Sequence, residues 1–133
     1  MYIYVMLGLF KDDRFEYARA LINSKIDVSF ISKTIAENLK CVEELEQYFD
    51  VYIPAIGTVK TNKICTIDKA ILNYSLIELK TIFHVIEDSI LRSIQCDAII
   101  GKDTIFWWGI SIETIPNESL LFNLKQEETK NLN

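Results

Sequence analysis

The side chains able to do chemistry are few and scattered. Cys41, Cys65 and Cys96 are odd in number and form no CxxC pair. That spacing predicts free thiols in a reducing compartment rather than a disulfide scaffold. The chain has one histidine, His84, and one imidazole with dispersed thiols makes no tetrahedral zinc set. No metal or cofactor is expected. A Cys–His nucleophile pair needs both groups in hydrogen-bond reach, and the two residue types are too common in small cytosolic domains for their presence to indicate one. Two stretches frame carboxylates differently. Residues 20–32 read ALINSKIDVSFIS, an apolar run interrupted by Asn23, Ser24, Lys25 and Asp27. Residues 97–103 read DAIIGKD, with Asp97 and Asp103 bounding an apolar run and Gly101. Paired carboxylates are the acid–base device of such settings: two held close share one proton because both cannot ionise easily.

The elements that must position these residues read mainly as strands. Residues 2–10 and 15–22 form two apolar runs around the polar turn Lys11-Asp12-Asp13-Arg14, which predicts a hairpin. Ser32 can cap a short helix through Lys40, with Ile35, Ala36 and Leu39 on its apolar face. Residues 43–49 read either as a continuation of that helix or as a loop. A strand over 51–56 ends at Gly57, and 58–71 alternates irregularly. Asn73-Tyr74-Ser75 marks a turn, and 76–86 reads as one strand, giving a run of antiparallel strands. Residues 87–95 read as a polar connection. Gly101-Lys102-Asp103 leads into a short helix over 104–108, and two last strands are expected over 110–115 and 119–124. Trp107 and Trp108 read as core or interface aromatics.

Composition sets the outer limits. The chain has 133 residues, half of them hydrophobic, enough for one domain with a core. Residues 1–124 form that domain, and 125–133 are a polar tail expected to fray. No apolar run reaches the roughly 18–20 residues of a membrane span. The apolar N-terminus lacks a basic n-region and a small-residue cleavage site, so no signal peptide is expected and the location expected is cytoplasmic. The net charge is −5 and no Lys/Arg-rich stripe appears, which argues against a nucleic-acid surface.

The two stretches together resemble the signatures of the retropepsin-like aspartic proteases. Residues 20–32 align without a gap to a pattern of roughly A-L-I-D-T-G-A-S-x-S-F-I-S. Residues 97–103 are similar to D-x-I-L-G-x-D, followed by a helix. The motifs lie about 75 residues apart, as they do across one such domain. The resemblance implies a mostly β, closed-barrel fold with one or two short helices, and a homodimer in which each chain gives one Asp to a shared dyad. It also implies a cleft for an extended peptide, with Ala20, Leu21, Ile22 and Gly57 as binding positions and Gly101 and Asp103 as structural ones, Asp103 capping the helix.

The centre of the first motif departs from the family. Asn23 stands for the Asp, Ser24 for the Thr and Lys25 for the Gly. A neutral carboxamide takes up no proton at ordinary pH, and losing a general base costs typically ~10²–10⁴ in rate. Lys25 brings a cation where the family needs the freedom of glycine. Burying it unpaired is expensive, so Asp27 is expected as its charge partner. Ser24 keeps the hydroxyl that the family's Thr uses to lock two turns together. The expectation is a catalytically inactive, homodimeric domain that binds peptide or protein segments. The alternative is an active aspartic endopeptidase with an atypical site.

Overall fold

The computed structural model describes residues 3–111. The chain opens as expected with a hairpin of β1 (Ile3–Lys11) and β2 (Arg14–Ile22), paired in register from Ile3↔Ile22 to Lys11↔Arg14. Asp12 takes φ +53° in the turn, a conformation that Asp tolerates better than most residues. β3 (Phe30–Ser32) then runs into α1 (Lys33–Leu39). Ser32 caps this helix by accepting a hydrogen bond from Ile35 N, and Ile35, Ala36 and Leu39 are its buried face.

The next segment departs from expectation. Residues 43–49 are neither helix nor loop but part of β4 (Val42–Ile53), the outermost strand, paired with β5 (Gly57–Ile67). Their Glu- and Gln-rich composition misleads because an edge strand can leave polar side chains in water. The ladder slips between Glu44 and Phe49. Asn62 spans the irregularity by donating its amide to the Leu45 carbonyl at 3.1 Å.

β6 (Lys69–Leu72) and β7 (Ser75–Ile77) form the hairpin expected around Asn73, which has φ +58°. The single strand expected over 76–86 is in fact two. β7 ends the sheet, whereas β8 (Thr81–Ile86) enters its interior beside β5 and β3. The connection over 87–95 contains α2 (Asp88–Arg92), which buries Leu91. Thr34 N–H donates to Asp88 Oδ1 at 3.0 Å and joins α1 to α2. β9 (Ala98–Ile100) and α3 (Lys102–Trp107) complete the described chain. Of the strand expected over 110–115, Ile110 and Ser111 are described and are not in a strand; the rest of it, the strand expected over 119–124 and the tail over 125–133 lie outside the described residues.

The strands form one sheet in the order β4-β5-β8-β3-β9-β2-β1-β6-β7. Among the described residues it has two ends, β4 and β7, so the sheet there is open and mixed, and the expected closed barrel is not confirmed. Two pairings are parallel, β2 with β9 and β3 with β8. The central strands are buried on both faces, which explains their unbroken apolar runs. In β2 and β9, Ala20, Ile22, Ala98 and Ile100 join the core that includes α1 and α3. Their neighbours Leu21 and Ile99 join a second core with Ile26, Phe30, Ile53 and Leu91.

The cysteines also differ from expectation. Cys41 and Cys65 form a disulfide across Cα atoms 4.9 Å apart. They meet because β4 and β5 set Val42 opposite Cys65, a register that spacing alone does not reveal. Cys96 is a free, buried thiol whose pKa burial pushes up to about 12. The inference from unpaired cysteines to a reducing compartment therefore loses its footing. Among the described residues, no helix is long and apolar enough to cross a membrane.

Candidate functional site

The two sequence motifs are brought together at one end of the sheet. β2 stops at Ile22, and Asn23 N–H donates to the Ile100 carbonyl at 3.1 Å. The turn closes with Ile26 N–H on the Asn23 carbonyl at 3.2 Å, while Lys25 N–H donates to Asn23 Oδ1 at 2.9 Å. The turn then docks on the start of α3: Lys102 N–H donates to the Ile26 carbonyl at 2.7 Å and Asp103 N–H to the Asp27 carbonyl at 3.2 Å. This approach explains Gly101. A Cβ there would collide with the Val28 carbonyl and lie 2.7 Å from the Ile26 oxygen.

Ser29 ties the turn down from beneath and is fully buried. Its hydroxyl donates to Asp103 Oδ1 at 2.8 Å, accepts from Gly101 N–H at 2.9 Å and lies 2.6 Å from Thr104 Oγ1. Asp103 therefore sits in the first turn of α3 with its carboxylate committed to this network, while Gly101 occupies the cap position without a side-chain bond. Asp27 is not the partner of Lys25. Its carboxylate lies 3.8 Å from Lys102 Nζ, and both side chains are well exposed. Among the described residues Lys25 has no ion pair; it stands exposed beside exposed Ser24. Of the two placements expected for a Lys25–Asp27 pair, within the turn or across a dimer, the first is not formed: the turn's docking on α3 brings Lys102 next to Asp27.

Asn23, half-buried, faces a groove of about 270 Å³. Tyr4 and Leu21 come from the sheet, Asn23 and Ile26 from the turn, Pro54 and Ala55 from the β4–β5 hairpin tip, and Ser93, Ile94 and Gln95 from the segment after α2. The tip is held by Ile56 N–H on the Ile53 carbonyl at 3.0 Å. Pro54 and Ala55 are its central residues, and Ala55 has φ +72°, as the third position of a type II turn requires. Gly57 follows with φ +109°; it shapes the hairpin's return and does not line the groove. Of the three apolar positions before the turn, Leu21 reaches the groove while Ala20 and Ile22 lie in the opposite core.

The sequence reading missed the opposite wall. Tyr4 O–H donates to the Ile94 carbonyl at 2.8 Å, and the Arg19 guanidinium lies 4.1 Å from the Tyr4 ring centroid. Arg19 Nε also donates to the Gln95 carbonyl at 2.9 Å. The two hydrogen bonds join residues 90 and 76 positions apart, and no short motif announces them.

The chemistry available follows from the lining. Among the described residues the groove is lined by no carboxylate, imidazole, thiol or amine, and Tyr4 is its one ionisable side chain. Apolar surface, an amide and backbone groups can bind and orient a chain. They supply no general base near neutral pH. Of the buried polar groups nearby, His84 packs between Phe30 and Phe49, its ring centroid 5.9 and 5.3 Å from theirs. Its Nδ1 has no hydrogen-bond partner. Burial lowers its pKa, against an opposing pull from the Asp103 charge.

No protein-family model matches the sequence, and no curated protein matches it. Among solved structures, the chain is similar to the retroviral protease-like domain of Ddi1 from Leishmania major. The TM-score is 0.51 and the identity 18%, over 86% of this chain and 78% of that one. At that identity the likeness concerns architecture: this chain is a mostly β domain of retropepsin-like fold.

Proposed function

We propose that this domain is a catalytically inactive, homodimeric module that holds an extended peptide or protein segment. The observation that carries the reading is the Asn23 groove: it lies between a β-hairpin tip and the sheet, and it lacks any acid–base pair. Likeness to a retroviral protease-like domain supports a peptide as the ligand. Extended peptides are held by main-chain hydrogen bonds, with pockets for alternate side chains. The carboxamide of Asn23 accepts from Lys25 N–H and takes no proton, so a water in the groove gains no base. Asp27 offers no substitute, because its carboxylate is exposed and directed to Lys102. Ser24 and Lys25 stand exposed at the turn, and there Ser24 would meet a second chain.

The test uses the purified full chain and a library of unstructured peptides. Saturable binding with amide shifts at Tyr4, Asn23 and Ile94, and no cleavage, is the expected result. Cleavage abolished by an aspartic-protease inhibitor would overturn it. Asn23→Asp alone is expected to stay inactive, since Lys25 remains at the turn. Sedimentation should report a dimer that Ser24→Ala weakens.

A further inference from the structure

The free edge of β4 carries a second inference, independent of the groove. Among the described residues β4 pairs only with β5, and it ends the sheet. Its outer backbone groups therefore form an unpaired row, a template for another strand. Beyond the irregularity at residues 45–48, the strand pairs regularly with β5 from Phe49 to Ile53. Alternation over this regular stretch puts Val51 and Ile53 toward the second core and Asp50 and Tyr52 on the outer face. Tyr52 is 65% exposed, an aromatic beside an acid on one face.

Charge decides the occupant. β4 carries Glu43, Glu44, Glu46 and Asp50 and no cation. On β5, Lys63 stands opposite Glu44 and Lys60 lies 3.9 Å from Asp50; Glu43 faces Ile64, and Glu46 lies in the irregular stretch. A second copy pairing edge to edge would set acid against acid, which disfavours self-association. A strand with Lys or Arg at alternate positions would meet Asp50, and a cation would lie over the Tyr52 ring.

We infer that the Phe49–Ile53 edge accepts a basic, extended segment of a partner protein as an added strand. The test uses the full chain and fluorescein-labelled RVRVRVR, with EVEVEVE and an RVRVRVR peptide N-methylated at alternate amides as controls. Anisotropy should show RVRVRVR binding at least tenfold tighter than either control. Tyr52→Ala and Asp50→Lys should each weaken it at least tenfold with an unchanged unfolding midpoint. Hydrogen exchange should slow at residues 49–53 on binding. Equal binding of the N-methylated peptide would reduce the interaction to bulk charge and overturn the inference. So would no binding, protection at Asn23 and Ile94 instead, or edge amides already protected in the free protein.

Discussion

Breaking the Cys41–Cys65 bond should destabilise the fold without moving an atom of the core. The disulfide closes a stretch of 24 residues, and that stretch contains all of β4, the hairpin tip and most of β5. In the chain-entropy treatment, ΔS ≈ −2.1 − 1.5R ln n, a loop of that size gives about 3.5 kcal/mol at 25 °C. Small domains have m-values of about 1–3 kcal/mol/M in urea, so the urea midpoint should fall by roughly 2 M. The sulfurs are buried in the main core, Cys65 fully. Reduction leaves them there and isolates the covalent tie. Cys41→Ala/Cys65→Ala should cost a further ~1–2 kcal/mol, because truncating buried side chains adds lost packing. Urea melts with and without a phosphine reductant, beside a thiol titration, make the assay. Unreduced protein should show no reactive thiol when native and one, Cys96, when unfolded. Three thiols on unfolding without reductant would refute the reasoning, as would an unchanged midpoint after reduction.

Ser29→Ala should cost about 2–3 kcal/mol in a urea melt, because it leaves the buried Gly101 N–H without its acceptor and removes one of the donors to Asp103. Gly101→Ala should cost at least as much, since the new Cβ meets the rigid Val28 and Ile26 carbonyls; a neutral effect would show that the turn is not docked there. His84 titrates below its ordinary 6.5 in the fold, so the unfolded chain binds more protons just below that pH. Stability should therefore decline as pH falls below 6.5 and level off below the folded pKa, and His84→Leu should flatten that part of the profile of melting temperature against pH. Asp88 is held below its ordinary value of 3.8: burial acts to raise it but is outweighed by hydrogen bonds from Thr34 and the charge of Arg92. Its contribution is present above pH 3.8 and lost at lower pH, so Asp88→Asn should remove an acid-side loss that the parent protein shows.

What the sequence determined by itself was local or periodic. The opening hairpin and the Ser32-capped helix follow from turn residues, apolar spacing and a hydroxyl in capping position, and each depends on side chains only a few positions apart. The retropepsin-like architecture was legible because two motifs keep their order and separation. That residue 23 offers no acid was legible because a carboxamide does not ionise wherever it is placed. Tertiary structure decided what depends on distant partners. Residues 43–49 became a strand because β5 offered a ladder, and Cys41 met Cys65 because that ladder fixed their register. Asp27 turned to Lys102 because the turn docks on α3, and Tyr4 reached Ile94 across the sheet. Near Asn23, the sequence named a carboxamide that cannot act as a base, and the fold decided which distant residues, Tyr4, Pro54 and Ile94 among them, surround it.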